Sequence, residues 1–489
     1  MLRNLLNSWV NFQDRIQRKN TGIPSETTGE LQFPTVASPP AWPPELQQFV
    51  QDRQEREYRR LAQALQLGSD PAKAYAHLSR GSVPAAYDVD RDIRLLGVDP
   101  LASWKGYAQM AGRPFDPGLG ALSIEDLLTA EQLQAFKRKV SDTYTRYDSL
   151  QLPTPYEDQH RYGSMVLTFD EVQAQLSRRG QSLVQNVFLA TLPSGDVNAI
   201  VAREPYTNTQ IVFFEQGLFQ FLRDFARLIG GITIPLTPQQ LRSDAALAQL
   251  PRRYTMPVAA SEYFIGMLGG YVVEGTPLAN SVSLPLPTHN MFTTLLLSSL
   301  MERFVMAHEL AHVMRGHLNK KQAKKQEYEA DAFALALVIQ SAQESPGSWA
   351  VGFWACDLVL TALHYLYKAI GLMAFGPDNL TWISQTHPDP LSRRARLREN
   401  ASRVFPHVPQ VGLDAAGELC GMTDGLLQGL WNMCSEIMFL SVMAGKRPSP
   451  MWNDWIKMNI KVKDYTYGDI LIDILGESIG VKRHRRVKK

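Results

Sequence analysis

Phe304-Val-Met-Ala-His308-Glu309-Leu-Ala-His312-Val-Met-Arg-Gly316-His317 is the stretch on which the reading of this chain turns. Its core is His-Glu-x-x-His. In an α-helix, residues four apart share a face, one turn above the other. His308 and His312 therefore aim two imidazoles at one point, with Glu309 beside them. Two neutral nitrogen donors, an open position for water and a carboxylate to accept that water's proton are what hydrolysis at a divalent metal requires. A chain with ten His in 489 residues contains such a pentapeptide by chance roughly 0.01 times. The flanks agree with a buried helix. The run from Met291 to Met306 is mostly apolar and lacks Pro and Gly, Ala311 and Val313 continue it, and Gly316 is placed to stop it.

Two histidines need a third protein ligand. Downstream lies Gln326-Glu327-Tyr328-Glu329-Ala330-Asp331-Ala332-Phe333-Ala334. Glu327 and Asp331 stand four apart on a second expected helix, and their face continues through Ala334, Leu335 and Val338. The face of Glu329 ends polar, at Gln340. Glu327 is thus the expected third ligand, with Glu329 nearer solvent. Asp331, one turn deeper, is placed to accept the free ring N–H of a ligand histidine and fix its tautomer. Carboxylates on an apolar face imply a cation partner. His317 follows the helix stop, five residues past His312, and reads as a cap or a solvent-facing residue.

His-Glu-x-x-His followed by Glu-x-x-x-Asp on a second helix resembles the gluzincin arrangement of zinc metallopeptidases. The wording Glu327-Tyr-Glu-Ala-Asp-Ala-Phe-Ala is similar to that of the CAAX prenyl protease, HtpX and Oma1 group, and to Lit-like peptidases among soluble bacterial relatives. Thr386-His387-Pro388-Asp-Pro-Leu-Ser-Arg393 reproduces that group's Ser/Thr-His-Pro motif with an arginine six residues on. Asn198-Ala199-Ile-Val, then Ile211-Val-Phe-Phe-Glu-Gln-Gly217-Leu218, looks like its Asn-Ala strand and following short helix. The resemblance covers residues 187–398. It implies Zn2+ as cofactor. It also implies that His387 donates to an oxyanion, that Arg393 is a second donor or holds a carboxylate near the site, and that Asn198 and Ala199 lie on a strand edge that binds extended substrate.

An apolar fraction of 45%, a charged fraction of 20% and a net charge of +2 describe a globular chain. No global field selects nucleic acid or membrane. Cys356, Cys420 and Cys434 are too few and scattered for a disulfide framework or a cysteine-based zinc site, so a reducing, cytoplasmic setting is expected. The first twenty residues lack the continuous apolar core of a signal peptide.

The expected fold class is α+β and predominantly helical: a zincin-like core with a small sheet, an active-site helix and a third-ligand helix, extended by helical N- and C-terminal regions. Residues 1–44 hold a short basic amphipathic helix, with Leu2, Leu5, Leu6, Trp9, Val10, Phe12 and Ile16 near helical period, and a Pro-rich linker. That helix reads first as one docked on protein and second as a peripheral membrane contact. Residues 45–155 read as a helical domain without a chemical motif, 156–400 as the metallopeptidase domain, and 401–489 as a helical region with a basic tail. Within 164–215, Pro193-Ser-Gly195 is the expected hairpin turn between two strands. The apolar run 350–375 is long enough to span a bilayer, but Asp357, His364 and Lys368 favour a buried helix.

The functional expectation is a zinc-dependent endopeptidase acting on a protein or peptide substrate, with Glu309 as base. Alternatives are a catalytically silent, metal-stabilised interaction protein, or a membrane-associated scaffold. Nothing marks a nucleic-acid partner, and neither substrate identity nor oligomeric state is encoded legibly.

Overall fold

The structure, a computed structural model, describes residues 42–79, 141–142, 145–178, 187–193, 199–207, 209–215, 217–232, 258–275, 284, 288–317, 323–341, 346–376, 380–382, 384, 387–404 and 410–462. The amphipathic stretch 2–18, the Pro-rich linker and the basic tail lie outside the described residues. The described chain opens with helices α1 (Pro44–Ala64) and α2 (Pro71–Ser79). Helix α3 (Gln159–Arg178) leads into strands β1 (Val187–Leu192), β2 (Ala199–Arg203) and β3 (Gln210–Glu215). There follow α4 (Leu218–Ile232), α5 (Val258–Gly269) with a π turn at Gly270–Glu274, α6 (Thr288–Arg315), α7 (Ala323–Ser341) and α8 (Pro346–Phe375). Strand β4 (Leu380–Trp382), α9 (Pro390–Val404), α10 (Gln410–Met443), α11 (Asn453–Asn459) and β5 (Ile460–Val462) complete it. The class is α+β, predominantly helical.

The three-stranded sheet has the order β1-β3-β2, with β1 parallel and β2 antiparallel to β3. The hairpin expected across Pro193-Ser-Gly195 does not form, because β3 lies between β1 and β2. The reason is burial. Ile211 and Phe213 join Phe188 in one cluster, while Val212 and Phe214 join the main core. A strand apolar on both faces takes the centre of a sheet. β2, with half-buried Val201 and exposed Arg203, takes an outer position. The actual hairpin joins β2 to β3. Its turn contains no glycine in 204–207 and is held by Glu204, whose carboxylate accepts from the N–H of Tyr206 at 3.0 Å and the hydroxyl of Thr207 at 2.7 Å.

Helix α1 covers β1. Leu46 and Val50 pack on Phe188, Ala190, Leu192, Ile211 and Phe213. Buried Gln54 donates to the Thr191 carbonyl at 2.9 Å and to Glu157 at 2.7 Å, while Glu157 accepts from the Thr191 N–H at 2.8 Å. Side chains thus satisfy backbone groups that an exposed edge would offer to another strand. β4 and β5 form a separate antiparallel pair.

Helix α6 runs through the main core, packed by α3, α4, α7 and α8. Leu297, Met301, Phe304, Ala307 and Leu310 are fully or almost fully buried, as expected for a helix apolar nearly all round. Two ion pairs fix it: Arg223 to Glu302 at 2.7 Å and Arg303 to Glu171 at 2.8 Å. Helix α8 is the one described helix long and apolar enough to cross a membrane, and 72% of its most apolar window is buried inside the protein. Asp357, 0% exposed, sits in its middle and accepts hydrogen bonds from Arg394 at 2.7 Å and Arg398 at 2.6 Å, both on α9.

Candidate metal centre

His308 and His312 stand on the last two turns of α6, and the facing Glu327 and Asp331 on the second and third turns of α7. The helices pack side by side. His308 Nε2 lies 3.1 Å from His312 Nε2 and 3.4 Å from Glu327 Oε2, and His312 Nε2 lies 3.5 Å from Glu327 Oε1. Tetrahedral zinc with bonds of about 2.0–2.1 Å places its donors about 3.3 Å apart. The three donors fit that triangle, and the trio meets the spacing of a metal-binding group.

Around this triangle is a shell of charge. Asp331 Oδ1 accepts from His308 Nδ1 at 3.0 Å. Arg393 grips Asp331 with two bonds, Nε to Oδ2 at 2.9 Å and Nη2 to Oδ1 at 2.6 Å, and its Nη1 is 3.5 Å from Glu327. His387 Nδ1 is 3.2 Å from Glu327 Oε1, with the His387 side chain 42% exposed. Glu309, buried beside them, has a carboxylate oxygen 4.0 Å from His308 Nε2.

Local sequence explains each placement. Asp389 caps α9, accepting from the Ser392 N–H at 3.0 Å, and Pro390 occupies the first helical position, where no N–H is needed. His387 is therefore held just ahead of a helix start. Arg394 and Arg398 lock α9 onto Asp357, and the neighbouring Arg393 points inward to Asp331 and Glu327. Gly316 adopts φ +60. It closes α6 with bonds from the Gly316 N–H to the Val313 carbonyl and from the His317 N–H to the His312 carbonyl, at 3.3 and 3.0 Å. This left-handed stop reverses the chain, and His317 returns to lie against His312, with Nδ1 3.1 Å from Nδ1.

The protonation states follow from burial and neighbours. Burial pushes the Glu309 carboxyl up to about 7. Burial and the charge of His308 push His312 down to about 3, so it is a neutral donor at ordinary pH. For His308 burial acts downward, but the hydrogen bonds to Asp331 and Glu327 outweigh it and raise it to about 10. Burial would raise Glu327 and Asp331; hydrogen bonds from His308 and His387 hold the first well below the usual carboxylate range, and Arg393 with His308 lowers the second. Two ionised carboxylates, Glu327 within the donor triangle and Asp331 behind His308, thus supply negative charge with which a buried cation could pair.

The structure brings together His308, Glu309, His312, Glu327, Asp331, His387 and Arg393. Ala199 begins β2, whose strand packs against α6. Asn198 lies outside the described residues. Sequence reasoning missed three features: the return of His317, the Asp357 anchor with Arg394 and Arg398, and the Arg223–Glu302 pair. Gly316-His317 after a helix was the available signal for the first. The others join residues 37 to 79 positions apart and leave no local pattern.

Residues 283–408 match the family model Peptidase U49. The segment contains α6 to α9 and every described residue of the donor triangle and its shell. The match to a peptidase family supports a protease function. No curated protein and no solved structure matches the chain.

Proposed function

We propose that the protein is a zinc-dependent endopeptidase of the gluzincin type, hydrolysing peptide bonds in a protein substrate. The observation that carries the proposal is the triangle of His308, His312 and Glu327 donors with the Glu309 carboxylate buried beside it. A bound zinc ion would supply Lewis acidity and bring the pKa of a water towards 7. Glu309 takes a proton from the attacking water as its oxygen bonds to the peptide carbonyl carbon. It then returns the proton to the amine nitrogen as the C–N bond breaks. A structural metal site has no need of this base. His387, half-exposed at the rim, donates to the developing oxyanion. Arg393 is committed to two carboxylates, so it acts by holding Asp331 and Glu327 in place, and Asp331 fixes the tautomer of His308. Extended substrate adds along β2, the outer strand opposite the edge that α1 covers; Ala199 marks where that strand starts.

The test is a comparison of cells carrying the wild-type protein and the Glu309→Gln form, reading newly generated protein N-termini. New N-termini confined to the wild type support the proposal. Equal cleavage by the two forms defeats it.

A further inference from the structure

We propose that His317 and Glu329 are positioning residues that hold His312 in the tautomer and orientation needed for metal binding. The inference rests on the metal-site reading above. His312 presents Nε2 to His308 and Glu327, so a lone pair is required there and the ring proton must sit on Nδ1. That nitrogen faces His317 Nδ1 at 3.1 Å. The opposite nitrogen of His317, Nε2, faces Glu329 Oε2 at 3.4 Å. One arrangement of protons satisfies both contacts. His312 donates from Nδ1 to the Nδ1 lone pair of His317, and His317 donates from Nε2 to the Glu329 carboxylate.

The His317 side chain is 6% exposed and Glu329 is at the surface with 36%, so the chain runs outward from the metal centre to solvent. His308 has its own orienting group in Asp331, backed by Arg393. The two ligand histidines are thus held from opposite sides by different means, a carboxylate for one and an imidazole with a carboxylate behind it for the other. Geometry excludes His317 as a ligand itself, because it meets His312 on the ring nitrogen away from the donor triangle.

The test measures zinc affinity of the full-length protein by chelator competition, with a zinc-free melting curve for each variant. His317→Leu is expected to weaken zinc binding roughly 10- to 100-fold, the usual effect of removing an orienting partner. His317→Gln, whose side-chain oxygen can still accept from Nδ1 of His312, should recover most of it. A purely structural role predicts no such rescue and a loss in the zinc-free melting temperature instead. Zinc binding by His317→Leu as tight as wild type overturns the proposal. A second measurement needs no variant: imidazole nitrogen spectra of the zinc-loaded wild type should show His317 protonated on Nε2, and protonation on Nδ1 overturns the proposal. Failure of the wild type to bind zinc at all, with His308→Ala behaving identically, is a distinct outcome that removes the metal site itself and this inference with it.

Discussion

Glu309 shows what a few ångströms of burial do to one carboxyl group. At about 7 its proton affinity is matched to abstraction near neutral pH, the poise a general base needs. If Glu309 is the base proposed above, Gln in its place keeps the shape and removes that base, and kcat is expected to fall at least about 10²- to 10⁴-fold while zinc content by metal analysis stays unchanged. The base must be ionised to act, so kcat/KM falls as pH drops through the Glu309 pKa. A divalent cation nearby favours the ionised form, which places this acid limb at or below pH 7. A limb above pH 8 in a pH–rate profile would exclude Glu309 as the group observed. The residues of the donor triangle and Asp331 were legible because His308 and His312, and again Glu327 and Asp331, are four apart on a helix. The partner of His312 was not. Five residues on, a continuing helix would carry His317 to another face, and only the left-handed turn at Gly316 brings it back.

Elements are placed by a few buried ion pairs rather than by apolar packing alone. Asp357 joins α8 to α9 through Arg394 and Arg398. Burial works to raise its pKa, but the hydrogen bonds from these two arginines prevail and hold it below the ordinary carboxylate value. Removing one partner of such a buried set costs about 3–5 kcal/mol, so Asp357→Asn should destabilise strongly in urea unfolding at pH 7. The sign of the pH effect is fixed. A depressed folded pKa gives stability that is present above the unfolded value, about 3.9, and is lost as pH falls through the folded one. The gap between Asp357→Asn and wild type should therefore narrow below pH 4; a constant gap would rule out the charge as its source. Gly316→Ala tests the helix stop. No atom lies within 4 Å of an added Cβ, so the cost is the left-handed backbone alone, about 1 kcal/mol, readable as a shifted urea midpoint. The periodicity of α6 and α7 was enough to expect two helices whose His308, His312 and Glu327 side chains converge. The sheet order did not, because two apolar runs with a Pro-Ser-Gly spacer look like a hairpin until a third run, apolar on both faces, competes for the centre.

At the scale of the whole molecule, the sheet is held between the main helical core on one face and α1 on the other. Gln54 links α1, β1 and the segment before α3 through Thr191, Glu157 and Thr154. Gln54→Ala leaves a buried carboxylate and a backbone carbonyl each short of a donor, at about 1–3 kcal/mol. A lowered melting temperature with unchanged zinc affinity is expected, and loss of zinc instead would mean that this contact reaches the metal centre. The order of synthesis gives the Asp357 anchor one more consequence. Its arginines follow it by 37 and 41 positions, and ribosomes add about 5–20 residues per second. For some seconds the nascent chain therefore carries a long greasy helix whose acidic centre has no counter-charge yet made. That interval, rather than the finished fold, is when insertion machinery or a chaperone has its opportunity to bind α8.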